Sequence, residues 1–138
     1  MYSIGQMSKR TGVKVPTIRY YEEVGLLDAS GRTEGNQRRY DKAGLERLGF
    51  IKHARELGFS LDAINALIDL QDHPDRSCAE ANEIAQAQLV DVRQRIARLR
   101  ALEAELIRIA DGCSGNGVTS DCYVLASLAD HQHCCADH

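Results

Sequence analysis

The sequence has few of the residues that would point to a membrane protein or to a chain rich in β-structure. It contains no tryptophan, two phenylalanines and two prolines, and aromatic residues make up 5% of its 138 residues. Residues that favour helices, such as alanine, leucine and glutamate, are abundant instead. No apolar run approaches the length of a membrane span, and the first ten residues lack the apolar core and cleavage site of a signal peptide. We therefore expect a mainly helical, cytoplasmic chain with no membrane partner.

Cysteine is scarce until the end of the chain. Only Cys78 comes early, whereas four of the five cysteines and three of the five histidines lie in residues 111–138. In a cytoplasmic protein such cysteines are expected to be thiols or metal ligands rather than structural disulfides. No C-x-x-C pair and no Cys–His dyad on a βαβ pattern indicates a thiol oxidoreductase, so we do not expect an enzyme.

Both signs of charge occur throughout the chain, but the net charge differs between its two parts. Residues 1–55 carry eleven Lys and Arg against six Asp and Glu, and residues 56–138 carry six against fourteen. The first part therefore has a net charge of +5 and the rest −8, which leaves −3 for the chain. This pattern indicates that only the first part meets a polyanion, although an ordinary solvated surface is the alternative.

Residues 3–26 have the pattern of two short helices joined by a tight turn. Ser3 is expected to cap the first helix, and Gly12 to end it in a left-handed conformation. Pro16 lies in the first turn of the next helix, where its missing N–H is tolerated. The segment is typical of a helix-turn-helix, with an ordinary helical hairpin as the alternative.

A basic hairpin is expected directly after this unit. The turn residues 34–37 separate Arg32 from Arg38, Arg39 and Tyr40. Such a hairpin is a wing, which would place its side chains against DNA phosphates while the preceding helix enters the major groove.

The remaining pattern predicts a helix pair and then one long helix. Asp41 and Ser60 are expected to cap the pair, which Gly58 separates. From about residue 79 to 111, apolar residues recur every three or four positions, as in a coiled-coil dimerisation helix. The step from Leu99 to Leu102 and the position of Glu103 blur the heptad register. The seam consists of Leu89, Val92, Ile96, Leu99, Leu102, Leu106 and Ile109.

These elements predict a mainly α fold in four parts. Residues 1–72 form a winged helix-turn-helix DNA-binding domain with its helix pair. Residues 73–111 form a linker and an antiparallel coiled-coil dimerisation helix. Residues 112–130 form a metal-binding loop, which Gly112 opens, and a short helix. Residues 131–138 form a His/Cys-rich tail that we expect to be flexible.

The spacing of three cysteines suggests how a metal site is divided between chains. Cys78 and Cys113 bracket the long helix, and 35 helical residues span roughly 50 Å. In an antiparallel dimer, Cys78 of one subunit would instead lie beside Cys113 and Cys122 of the partner subunit. Three thiolates form a soft site that favours Zn, Cd, Pb, Hg or Cu(I) over Mg or Ca. The alternative is that Cys78 is a small buried residue at a helix start.

The tail carries a second, denser group of metal-ligand residues. It either forms an accessory site or supplies a fourth ligand, for which Asp121 and Ser77 are other candidates. The alternative is a disordered tail with incidental metal affinity. The tail residues are His131, His133, Cys134, Cys135 and His138.

Three stretches, in this order, resemble the MerR family of transcription regulators: YSIGQMSKRTGVKVPTIRYYEEVGLL, RTEGNQRRY and LGFIKHARELGFSLDAI. The resemblance covers nearly the whole chain. It implies a homodimer that binds a palindromic promoter operator, bends it at rest, and untwists it with inducer bound so that RNA polymerase can use the promoter. By position it implies that the DNA contacts are made by Lys14, Arg19, Tyr20, Arg32, Arg38, Arg39 and Tyr40.

The resemblance also narrows the expected inducer. Members that sense monovalent copper-like ions typically lack a cysteine at the position of Cys78, so a divalent ion is expected here. Zinc-type members tend to have adjacent cysteines and a loop histidine, whereas Ser114 follows Cys113 and the loop 114–121 has no histidine. The loop between Cys113 and Cys122 is more similar to that of the mercury- and lead-type members. The His-rich tail, in contrast, resembles the tails of some cadmium-type members.

The expected function is therefore activation of metal-resistance or efflux genes in response to Cd, Pb, Zn or Hg. A regulator of the same family that uses its cysteines as redox switches or responds to a small molecule is the alternative.

Overall fold

The computed structural model describes residues 1–29, 31–32, 35, 37–112 and 115–130. Its contacts divide the chain into two compact units, Met1–Ala85 and a second unit that begins at Gln86. The predicted mainly α fold, with a winged helix-turn-helix and a long helix, is confirmed. The elements in chain order are β1 (Tyr2–Ser3), α1 (Ile4–Thr11), α2 (Val15–Glu23), β2 (Gly31–Arg32), β3 (Arg38–Tyr40), α3 (Lys42–Glu56), α4 (Leu61–Gln71), α5 (Ala79–Asp111), a 3₁₀ turn (Thr119–Asp121) and α6 (Tyr123–Ala129).

The helix starts follow the capping residues that the sequence contains. The Ser3 hydroxyl accepts a hydrogen bond from the Gln6 N–H, and the Gln6 side chain accepts one from the Ser3 N–H, which is a complete capping box. Gly12 ends α1 with φ 79°, as expected for a left-handed C-terminal residue. Asp41 and Ser60 accept hydrogen bonds at the starts of α3 and α4. These local interactions fix where α1, α3 and α4 begin in residues 1–72, which we call the head.

A small antiparallel sheet connects the wing to the start of the chain. Its strand order is β1-β3-β2, with Tyr2 opposite Tyr40 and Arg32 opposite Arg38. The β2–β3 hairpin was predicted, but β1 was not. A strand of two residues carries no periodic signal, and its partner lies far along the sequence. The sheet therefore ties the wing to the body of the first unit.

The core of the first unit is formed by apolar side chains from α1 to α4, from β3 and from the segments that follow α1 and α2. Full burial of one such side chain stabilises the fold by about 1.5–3 kcal/mol. The side chains with almost no exposed surface are Met7, Ile18, Leu27, Tyr40, Leu48, Ile51 and Ile64.

Tyr40 belongs to this core, although the resemblance implied that it contacts DNA. Its side chain is 0% exposed, and its hydroxyl donates a hydrogen bond of 2.7 Å to Oε2 of Glu22. A side chain without accessible surface cannot contact DNA, so that prediction was wrong. Successive side chains of a strand point to opposite faces. Tyr40 therefore faces the core, and its bond joins the wing to the end of α2.

The long helix α5 has the predicted bounds and leaves much of its apolar seam uncovered. Leu99 and Leu106 are 64% and 63% exposed, while Leu89 and Ile96 are also exposed. Ile109, near the end of the helix, is buried. In the part of the chain that the structure describes, no helix has the length and hydropathy needed to cross a membrane.

Removal of the Tyr40 hydroxyl is expected to destabilise the head. Tyr40→Phe keeps the buried ring but loses the donor to Glu22, so the free energy of unfolding should fall by about 1–3 kcal/mol. Urea denaturation at one fixed protein concentration measures this change. Tyr20→Phe is the matched control, because the Tyr20 side chain is 47% exposed; it should change stability by less than about 0.5 kcal/mol. Equal effects of the two variants would contradict the role of the buried bond.

Candidate DNA interface and metal loop

One face of α2 is available for contact with DNA. Ile18 and Tyr21 are buried and hold the helix on the core. Arg19 and Tyr20 lie on the opposite, exposed side. Lys14 is the exposed residue immediately before the helix. The arrangement presents two cations and one phenol from neighbouring positions, and such groups contact phosphates and base edges.

The wing adds a further cation to the same unit. Arg39 is partly exposed, and its backbone pairs with Ser3 on one side and Gly31 on the other. The structure gives the strand positions of Arg32 and Arg38, but their side chains lie outside the described part of the chain. Their predicted DNA contacts therefore stay predictions.

Two long-range interactions that the sequence did not indicate hold the head together. The Lys52 ammonium donates a hydrogen bond of 2.6 Å to the carbonyl oxygen of Thr11. This cation thus caps the C-terminus of α1, where the helix dipole is negative. Glu22 accepts the hydrogen bond from Tyr40. The partners in these pairs are 41 and 18 residues apart, so no local pattern could have revealed them.

Cys78 lies at the surface, directly before the first residue of α5. Its carbonyl oxygen accepts the first hydrogen bond of that helix, from the Asn82 N–H at 2.9 Å. Its side chain is exposed and lines a cavity of about 340 Å³. The walls of the cavity include the apolar residues Phe50, Leu67 and Leu70. The alternative that Cys78 is a small buried residue is therefore wrong.

Arg76 fixes the linker that carries Cys78. Its guanidinium donates to Oδ2 of Asp69 at 2.9 Å and to Oε2 of Glu80 at 3.1 Å. It therefore connects the end of α4 to the start of α5. The His73 ring lies 2.7 Å from the carbonyl oxygen of Asp69. Each of these surface interactions is weak alone, but together they hold Cys78 at a defined place.

The second unit contains the other end of α5, the loop and α6. Cys122 is partly buried, and its N–H donates to the carbonyl oxygen of Thr119. The next residue, Tyr123, begins α6 and contacts the end of α5 through Gly112 and Arg108. The short helix was predicted; these contacts of Tyr123 were not.

Several predicted metal ligands fall outside the described residues. They are Cys113 and the tail residues His131, His133, Cys134, Cys135 and His138, and the side chain of Asp121 is outside as well. Within the described ranges, no three His, Cys, Asp or Glu side chains of one chain come together as a metal site would require. Cys78 and Cys122 are the proposed ligands that the structure places.

Comparison with known proteins identifies the family. The profile described as MerR HTH family regulatory protein matches residues 2–71, and the one described as MerR, DNA binding matches residues 45–109. The HTH-type transcriptional regulator ZntR of Escherichia coli (strain K12) is 41% identical over 130 residues, which cover 93% of this chain and 92% of that protein. The mercuric resistance operon regulatory protein of Pseudomonas fluorescens is 40% identical over 126 residues, which cover 91% and 86%.

A solved structure agrees with these sequence relatives. The crystal structure of the transcription regulator PbrR691 from Ralstonia metallidurans CH34 in complex with lead(II) matches with a TM-score of 0.79 and 39% identity, covering 93% of this chain and 99% of that one. The chain therefore belongs to the MerR family, a family of DNA-binding transcription regulators and not of enzymes.

Proposed function

We propose that this protein is a homodimeric transcription regulator that responds to a thiophilic divalent metal ion. It binds a palindromic promoter operator and activates metal-resistance or efflux genes when the ion binds. The observation that carries the proposal is the exposed position of Cys78 at the start of a 33-residue helix, with Cys122 beyond the other end of that helix. The protein acts where promoter DNA is found, in the cytoplasm.

The head supplies the DNA-binding surface. Lys14, Arg19 and Tyr20 on and beside α2 suit the major groove and its flanking phosphates. Arg39 in the wing suits a phosphate contact, with Arg32 and Arg38 as its proposed neighbours. Neutralisation of phosphates by these cations would make operator binding strongly dependent on salt.

The uncovered seam of α5 supports the dimer. Leu89, Ile96, Leu99 and Leu106 recur along the helix and are exposed in a single chain. Contiguous exposed apolar side chains at this spacing are typical of a surface that a second helix covers. Two copies of α5 in antiparallel orientation would each bury this seam against the other.

The same orientation would complete the metal site. A 33-residue helix is about 50 Å long, so its two ends cannot contribute to one ion within a chain. In the antiparallel pair, Cys78 would meet Cys113 and Cys122 of the partner subunit. Three thiolates provide a soft, anionic set of ligands that suits a thiophilic ion. The tail histidines and cysteines are proposed as accessory ligands.

The relatives support a divalent inducer without selecting one ion. One relative is named for mercuric resistance, and another was solved in complex with lead(II). We propose Cd, Pb, Zn or Hg as the inducer. Reporter transcription measured with Zn, Cd, Pb, Hg and Cu side by side would rank them. Activation by an oxidant in the absence of added metal would instead favour the thiol-switch alternative.

Ligands contributed by both chains would couple the ion to the DNA. Because Cys78 belongs to the same compact unit as the head, a ligand set completed by the partner would bias the placement of that head. If the separation or rotation of the two heads changes slightly, the DNA between their half-sites must twist or bend to stay bound to both. RNA polymerase would then use the realigned promoter.

Loss of Arg19 should weaken operator binding. Arg19→Ala removes one cation from the exposed face of α2, so operator affinity should fall and the slope of log K against log salt should decrease in magnitude by about one. Fluorescence anisotropy with labelled operator at several salt concentrations measures both. Arg100→Ala, which removes an exposed cation from α5, is the matched control. Unchanged affinity in Arg19→Ala would remove this residue from the interface.

Replacement of Cys78 should separate DNA binding from induction. Cys78→Ser keeps the size and exposure of the side chain but removes a soft ligand. Operator affinity should stay at the wild-type value, while metal-induced transcription in vitro should be lost. Asn82→Ala, at an exposed position in the first turns of α5, serves as the control and should keep induction. Normal induction in Cys78→Ser would sink the shared-site proposal.

Mixed dimers test whether the ligands come from both chains. A subunit with Cys78→Ser is combined with a subunit that carries Cys113→Ser and Cys122→Ser. Neither homodimer should bind metal tightly, but the mixed dimer should regain one complete site. Metal stoichiometry of the purified heterodimer measures this. A heterodimer that binds no metal would show that the ligands are not contributed across the interface.

A further inference from the structure

The ring of Tyr123 lies against the end of α5 at a position that only glycine can occupy. A Cβ atom added to Gly112 would lie 2.0 Å from Cδ1, 2.3 Å from Cε1 and 2.6 Å from Cγ of Tyr123. Atoms cannot approach this closely, so either the ring or the backbone would have to move. Gly112 is not among the residues with positive φ, in contrast to Gly115 in the same loop. Close approach of the ring, and not backbone conformation, is therefore the reason for glycine at position 112.

Arg108 holds the hydroxyl end of the same ring. Its guanidinium donates a hydrogen bond of 2.5 Å to the Tyr123 hydroxyl. It is also paired with Glu105, and this hydrogen bond raises the pKa of Arg108, so the group remains a cation. The N–H of Gly112 in turn donates to the carbonyl oxygen of Arg108. The ring is thus fixed at both its edge and its hydroxyl.

We propose that Gly112, Tyr123 and Arg108 form a clamp that closes the metal loop and positions its two cysteines for the ion. The inference rests on the proposed metal response. Gly112 directly precedes Cys113, and Tyr123 directly follows Cys122. Consecutive Cα atoms are 3.8 Å apart, so a contact between Gly112 and Tyr123 limits the separation of both ligands. These are positioning residues, because none of them would touch the ion.

The clamp reduces the conformational entropy that metal binding would otherwise have to remove. Loop ends that are already joined need less ordering when the ligands converge. Helix α6 has seven residues, and a helix this short is not stable on its own in water. Its attachment through Tyr123 therefore decides where Cys122 lies. Groups that orient metal ligands typically change affinity by roughly 10- to 100-fold.

Two glycine substitutions in the same loop provide a matched test. Gly112→Ala introduces the clash with Tyr123, whereas an added Cβ at Gly117 has no atom within 4 Å. With Pb(II) as the probe, a chelator competition followed by thiolate-to-metal absorption gives the affinity of the full-length dimer. Gly112→Ala should bind roughly 10- to 100-fold more weakly, and Gly117→Ala should match the wild type. Equal affinities of the two variants would overturn the clamp.

A second variant identifies the ring as the cause. Tyr123→Ala should weaken binding by itself, and adding Gly112→Ala to it should cause little further loss, because no ring remains to clash. Fully additive losses would show that Gly112 acts in another way and would overturn the proposal. Tyr123→Phe keeps the ring over Gly112 and loses only the bond to Arg108, so it should lose less affinity than Tyr123→Ala; affinity equal to that of the wild type would remove Arg108 from the clamp.

The contact itself can be measured without metal. In the metal-free dimer, nuclear Overhauser contacts should connect the Gly112 Hα atoms with the Tyr123 ring protons, and Gly112→Ala should abolish the equivalent contacts while thermal unfolding stays cooperative. Their absence from the wild type would contradict the clamp.

A wild-type dimer that takes up no Pb(II) or other thiophilic ion would overturn the proposed function as well, whereas equal binding by wild type and Gly112→Ala would overturn the clamp alone.

Discussion

The fold and the proposed metal site both depend on one constraint: the 33-residue helix α5 has an apolar seam that must be covered. Such a helix cannot cover its own seam, so Leu99 and Leu106 stay exposed in a single chain. Pairing with a second copy removes these side chains from water. The length of the helix then decides which groups can meet, because its two ends are about 50 Å apart. In an antiparallel pair, the start of one helix meets the end of the other, and a site that neither chain could build alone becomes possible.

The two ends of this helix are prepared by different physical means. At its start, Arg76 links Asp69 to Glu80 and keeps Cys78 on an exposed linker. At its other end, the approach of the Tyr123 ring to Gly112 determines where the loop returns. Surface ion pairs are weak and exposed to solvent, whereas atoms in steric contact resist any closer approach. In the proposed site, two thiolates positioned by a steric contact would therefore meet a third thiolate positioned by surface ion pairs.

Much of the fold could be predicted from the sequence because its signals are local. Ser3, Asp41 and Ser60 cap helices through neighbours three residues away, and the period of α5 is visible over many turns. Interactions between distant residues were not predictable. Strand β1 pairs with β3, which lies far along the chain. Tyr40 has the residue type and position expected of a wing residue that contacts DNA, but its side chain is buried in the core. At the site, the cysteines could be recognised by residue type, whereas the reason for Gly112 lay in a contact with Tyr123.

The head completes its core, from Met7 to Ile68, within the first 85 residues. The described contacts that hold Tyr123, by contrast, are made by Arg108 and Gly112 in the second unit. We therefore expect substitutions of Gly112 or Tyr123 to leave the core of the head intact. After gene duplication, one copy could acquire a response to a different ion while it still recognised the ancestral operator. Divergence in inducer and divergence in promoter choice can thus proceed at separate rates along one short chain.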